Sequence, residues 1–213
     1  LDPSTGQHSG VLTEPYGGTD QTTYAKGDIL YASLVDTLSR LAISPIVGQA
    51  LVVGASGVPE WGAGRIVQVV NIQTAIYAAG NTTIMPRDNS VPLNTEGTEF
   101  MILAVTPTNI NNKLRVEVLG NFGPEASCQV TGGLVQDATA AALNAGCSIV
   151  PGVDSCVQVK INHYMTAGTT STTTFKFRAG CDLAYRPRFN GNSAGGLFDG
   201  VGFSSMTITE ITG

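Results

Sequence analysis

The sequence predicts an all-β chain: an extended N-terminal arm, a short stem segment, and a jelly-roll-like antiparallel β-sandwich carrying a short helical insert. Three observations predict it. In residues 157–180 (VQVKINHYMTAGTTSTTTFKFRAG), Val157, Val159, Ile161, His163 and Met165 alternate with Gln158, Lys160, Asn162 and Tyr164. After a Gly-Thr-Thr-Ser turn signal, Phe175, Phe177 and Ala179 alternate with Thr174, Lys176 and Arg178. A period of two on both sides of a turn describes two paired antiparallel strands, each with one buried face. Second, the 213 residues include 26 Gly and 10 Pro, and only 13% are charged. That mixture suits short strands and tight turns and argues against a helical bundle. Third, two runs, 66–72 (IVQVVNI) and 100–105 (FMILAV), are apolar on both faces. Such strands lie at the centre of a sandwich or between subunits.

Charge narrows the function. A net charge of −5 and the absence of any Lys/Arg cluster exclude nucleic acid, which demands a basic face. The longest apolar runs are too short to insert in a membrane. So few charges also leave a surface that further copies of the chain would cover.

Taken in order, residues 1–16 show no periodicity and read as an arm, with His8 a solvated residue within it. The start at Leu1 fits a processed product or a piece of a longer chain. Residues 17–62 break into short pieces punctuated by Gly27-Asp28, Ser44-Pro45, Gly48 and the glycines at 54 and 57. Leu34, Leu38 and Leu41 stand at i, i+4, i+7 and suggest one or two helical turns. A segment this short, with one Trp and a few aliphatic residues, rarely makes a core alone. A core shared by three chains wound about an axis would solve that problem.

The run GGTDQTTYAKGDILYAS, then LSRLAI, GQALVV and GVPEW, resembles a module of bacteriophage tail-fibre and other virion fibre proteins. It departs from that pattern at Asp20, where Gly is common. The remainder resembles the β-rich C-terminal domain that often follows this module, through NTEGTEFMILAVTPTN, HYMTAGTTSTTTFKFRAG and SSMTITEI. The resemblance implies a homotrimer located in the phage particle and assembled in the bacterial cytoplasm. The arm would bind other virion proteins of tail or capsid, residues 17–62 would interlock three chains, and residues 63–213 would form a knob meeting host surface glycan or protein. Tyr24, Ile29, Leu30, Leu38, Leu41 and Trp61 of the stem, with Val67, Val69 and His163 of the knob, are the expected trimer-packing residues. A capsid decoration protein that stabilises the head is the alternative reading, and a polysaccharide depolymerase a third.

Beyond a glycine hinge at 62–64, residues 113–119 return to alternation, with Leu114, Val116 and Val118 inward and Arg115 and Glu117 outward. Residues 137–145 (DATAAALNA) give the best helix pattern, with Asp or Thr to cap its start and Gly146 after its end. Residues 181–198 read as a long polar-aromatic loop, and 204–211 as the closing strand. Roughly eight strands with long return connections fit a jelly roll.

Candidate chemistry is sparse. His163 sits in an apolar stripe, so it reads as a hydrogen-bonded core or interface residue. Its neighbours Ile161 and Met165 suit dry packing better than a metal shell on a threefold axis. Cleavage of a polysaccharide needs two carboxylates about 5–9 Å apart on a rigid scaffold. Glu96 with Glu99, and Asp182 with Asp199, read more simply as turn or edge residues. The repeats of a β-helix enzyme are missing from the sequence. No catalytic residue, metal or cofactor is therefore expected. Cys128, Cys147, Cys156 and Cys181 have no zinc spacing and permit three disulfide pairings beside a reduced, packed state. Of the possible bridges, Cys147–Cys156 across the Pro151-Gly152 turn is the least strained. Tyr185, Arg186, Arg188 and Phe189 gather Arg forks and aromatic faces in one loop and are the candidate receptor contacts.

Overall fold

The computed structural model describes residue 19 and residues 23–35, 37–46, 49–62, 65–153 and 155–213. The arm at 1–16 with His8, and positions 63 and 64 of the glycine hinge, lie outside the described residues. The chain separates into two compact units, Leu1–Gly64 and Arg65–Gly213.

Among its described residues, the first unit holds two hairpins. Strand β1 (Ile29–Leu34) pairs with β2 (Thr37–Leu41), and β3 (Ala50–Val53) with β4 (Pro59–Gly62). The helical turns expected at 34–41 are therefore absent. Leu38 lies opposite Ala32 and Leu41 opposite Ile29, so cross-strand pairs replace the i, i+4 contacts of a helix. Asp28 ties the first hairpin together. Its Oδ2 accepts from Ala25 N at 2.7 Å and its Oδ1 from Ile43 N at 3.0 Å, with Arg40 Nη1 at 3.3 Å. These backbone donors, Ala25 first, and then Arg40 hold its carboxyl below the usual range. Trp61 Nε1 donates to Ala42 O at 2.6 Å. Among the described residues of this unit, none is fully buried, and Leu34 and Val35 are 72% and 90% exposed.

The second unit is a jelly roll. Its long strands are β5 (Ile66–Thr74), β7 (Thr98–Val105), β8 (Lys113–Phe122), β9 (Cys128–Gln136), β10 (Asn144–Val150), β11 (Val157–Thr166), β12 (Thr173–Cys181) and β16 (Ser204–Ile211). One sheet runs β5-β16-β8-β11 and the other β10-β9-β12-β7. Counted along the chain, these are strands first, eighth, third and sixth facing strands fifth, fourth, seventh and second. Two interlocked Greek keys give that order. Short strands β6 (Ala78–Ala79), β13 (Arg188–Phe189), β14 (Gly191–Asn192) and β15 (Gly195–Gly196) complete the rim.

The core is built by the alternation the sequence shows. Leu114, Val116 and Val118 of β8, Val159 and Ile161 of β11, Met206 and Ile208 of β16, and Phe175 and Phe177 of β12 meet between the sheets. The Phe177 ring needs space on both sides and finds it at two glycines. A Cβ on Gly120 or Gly132 would lie 2.7 or 2.6 Å from that ring. Glu210 alternates inward with the same face and is fully buried. Its carboxylate accepts from Thr108 N at 2.8 Å, Thr108 Oγ1 at 2.9 Å, Asn112 Nδ2 at 2.6 Å and Gln68 Nε2 at 2.5 Å. Burial alone would raise its pKa; the four donors outweigh it and hold the group low.

Three expectations are corrected. The strands at 157–166 and 173–181 do not form a hairpin: β11 pairs with β8, whereas β12 pairs with β7 and β9. The turn between them crosses from sheet to sheet, and both strands face the same core. The segment at 137–145 is not a helix. Asp137 adopts φ 51°, and its carboxylate accepts from Thr174 N and Thr173 Oγ1 at 2.7 and 2.8 Å. The alanines lie antiparallel to residues 92–94, with Asn94 N to Ala140 O and Ala142 N to Pro92 O both at 2.8 Å. Of the two placements expected for the runs at 66–72 and 100–105, the central one is excluded, because β5 and β7 are the edges of their sheets. A bulge in β7, where Met101 pairs with Phe177 and Glu99 with Arg178, lets Phe100 and Met101 both reach the core.

Candidate functional site

The predicted contact loop is largely structural. Phe189 is 2% exposed and belongs to the core, stacked on Phe100. It is thereby withdrawn from any surface role. Arg188 donates to Glu125 Oε2 at 3.2 Å and Tyr77 Oη at 3.1 Å, so its fork is engaged within the unit. Glu125 Oε1 also accepts from Arg186 N at 3.1 Å, pinning the loop backbone. Tyr185 packs partly buried against the core. Of the four, only the Arg186 side chain stands free toward solvent by its exposure.

The predicted packing residues fall in two places. In the stem, Tyr24 and Leu30 are exposed, while Ile29, Leu38, Leu41 and Trp61 are half-buried. In the sandwich, Val70 and Ile72 of β5 pack on the core, Val69 is exposed, and Val67 is half-buried at a register shift in the pairing of β5 with β16. His163 lies opposite Val116 and is half-buried. Burial pushes its pKa down, and its ring finds no hydrogen-bond partner among the described residues, which goes against the core form of the expectation and does not bear on the interface form. Three of the four candidate carboxylates have a local task. Glu96 accepts from Leu93 N at 3.0 Å, Glu99 stands 3.8 Å from Arg178, and Asp182 accepts from Gln129 N at 2.9 Å.

A concave site forms instead where the predicted loop ends. A depression of about 330 Å³ is lined by Leu119 and Asn121 of β8, Gln158 of β11, and Phe198, Val201 and Phe203 of the segment before β16. Phe198 and Val201 are 70% and 78% exposed. The segment holds its shape by two consecutive left-handed residues, Phe198 at φ 59° and Asp199 at φ 45°, a conformation that costs non-glycine residues energy. Gln158 Nε2 donates to Asn121 Oδ1 at 3.0 Å, and Asn121 Nδ2 donates to Phe203 O at 2.6 Å. Asn190 Oδ1 accepts from Ser204 Oγ, whose oxygen in turn accepts from Asn121 N. The amides thus fix the backbone at the start of β16 and leave the apolar side chains outward. Amides beside exposed rings can meet a ligand that is part hydroxyl and part hydrocarbon, such as a sugar.

The depression also has a defined place. Thr212 N donates to Arg65 O at 3.0 Å, so the sandwich is entered and left at one pole. Ser204 pairs with Thr74 at the opposite pole, eight residues of β16 away and beside the depression. Alternation could not reveal Phe198, Val201 and Phe203, because FDGVGF has no period. The available signal was a glycine-broken apolar segment directly before a strand.

No family model matches the chain, and no curated protein does. Among solved structures, the carbohydrate-binding module CBM35 from Cellvibrio japonicus Abf62 is similar over 68% of this chain and 98% of that one, at 11% identity and a TM-score of 0.33. A likeness that distant says nothing of what this chain binds.

Proposed function

We propose that the chain is a non-catalytic adhesive protein of a phage particle, a homotrimeric fibre whose C-terminal sandwich meets the host surface. The arm attaches it to tail or capsid, residues 17–62 interlock three copies, and the pole carrying Phe198, Val201 and Phe203 bears the contact with surface glycan or protein. One observation carries the reading: the first unit has two hairpins and no fully buried residue among those described. Two-stranded hairpins are marginal in water. At ~25 cal/mol per Å², covering the exposed faces of Leu30, Leu34, Leu51 and Val53 with the same faces of two further chains supplies what one copy lacks. Three identical poles would then engage a surface together, and avidity can exceed single-site affinity by ~10²–10⁴.

Light scattering on the full chain tests the assembly. Three times the chain mass, kept on dilution, is expected; a single-copy globule overturns the reading. Adhesion is tested by competition: purified protein should slow adsorption of the phage that carries it, and Phe198→Ala with Phe203→Ala should abolish that competition without changing the mass.

A further inference from the structure

We propose that Cys128 and Cys181 are a disulfide-forming pair, closed by a small-molecule disulfide such as oxidised glutathione, which staples β9 to β12 inside the sandwich. Both residues are buried in the core, on neighbouring strands whose register sets Cys181 opposite Val130. Their sulfurs stand 2.9 Å apart. The bond itself is ~2.05 Å long, so closure needs an approach of less than about 1 Å.

The backbone beneath the pair is held from three sides. Asp182 N donates to Gln129 O at 3.0 Å, and Gln129 N donates to Asp182 Oδ1 at 2.9 Å. Cys181 O accepts from Met85 N at 2.9 Å. These contacts keep the two side chains facing each other. No disulfide is closed among the four cysteines, and Cys147 and Cys156 are exposed; the fold brings together a different pair from the one that closeness in sequence favours.

The chemistry balances as follows. The thiolate of one cysteine attacks a sulfur of oxidised glutathione, forming a mixed disulfide and expelling one glutathione thiolate. The second cysteine thiolate attacks the protein sulfur of that mixed disulfide and expels the other. The two cysteine protons pass through solvent to the two expelled glutathione thiolates, the pair loses two electrons, and one glutathione disulfide becomes two thiols. Burial raises both thiol pKa values, that of Cys181 most, so neither attacks readily in the closed fold. Exchange begins when the ends of β9 and β12 open, or while the chain folds, and is slow.

The full chain carrying Cys147→Ser and Cys156→Ser is held with oxidised glutathione to equilibrium, then unfolded in denaturant with a maleimide. The expected product is lighter by two hydrogens, takes up no maleimide, and yields one linked peptide pair containing positions 128 and 181. Reduction should lower Tm by about 5–15 °C. Two maleimides added, or glutathione retained on either sulfur, overturns the proposal. The unmutated chain, alkylated and digested after the same treatment, gives the same answer should the double variant fold poorly: a bridge from 128 or 181 to 147 or 156 counts against it.

Discussion

The rings of Phe100 and Phe189 stack with centroids 4.9 Å apart and planes 21° from parallel, which fixes β13 against the inner face of β7. Phe122 closes the group, 5.4 Å from Phe100 and 5.5 Å from Phe189. Truncating a ring in such a cluster leaves a cavity, so Phe189→Ala should cost about 3–5 kcal/mol in denaturant melts. Arg186→Ala, by contrast, removes an exposed side chain whose backbone does the bonding, and should leave stability within about 0.5 kcal/mol. Equal losses for the two variants would show that the loop is not divided into a structural and a free part.

Gly132 offers a sharper test of packing. A methyl group there meets Phe177 at 2.6 Å and Val159 at 2.9 Å, and Gly120 backs the same ring from the other sheet, so the ring has nowhere to retreat. Gly132→Ala should therefore lose about 1–3 kcal/mol. Gly152→Ala adds a methyl where no atom lies within 4 Å and should melt with the unaltered protein.

Glu210 makes stability depend on pH. Its folded pKa lies below the ordinary 4.5, so its contribution is complete above about that value and is lost as pH falls through the folded pKa. Glu210→Gln puts an amide N–H against groups that already donate, and should cost about 1–3 kcal/mol at neutral pH. Thermal melts of both proteins from neutral to acid pH check this: the gap should narrow on acidification, and a constant gap counts against an ionised Glu210.

Deleting residues 1–64 separates the two units. The sandwich has its own buried core and should remain folded, with its β-sheet circular dichroism intact, while the assembly dissociates to single copies on dilution. A trimer of undiminished tightness would move the main interface to the sandwich.

Much of the sandwich is legible in the sequence, because burial on one face writes a period of two into Leu114–Val118 and into both halves of residues 157–180. What that period omits is the partner. Strands β11 and β12 face one core from opposite sheets, and alternation is the same whether such strands pair or oppose each other. The Ala-rich stretch at 137–145 misleads because helix propensity there is overruled by Asp137, whose carboxylate bonds across to Thr173 and Thr174. Edge position was hidden at 100–105 because a bulge turns adjacent residues Phe100 and Met101 the same way. The site at Phe198–Phe203 left no periodic trace, since its shape comes from left-handed residues and amide clamps rather than from burial.

The neighbouring entry and exit of the sandwich at Arg65 and Thr212, with the exposed rings at the far end, has a mechanical consequence. In the proposed fibre, tension between a root at the first pole and a grip at the second would run along the strand axes. The rungs joining β5 to β16 lie across that direction. They are sheared together rather than unzipped one by one, so many bonds must fail at once before the domain yields.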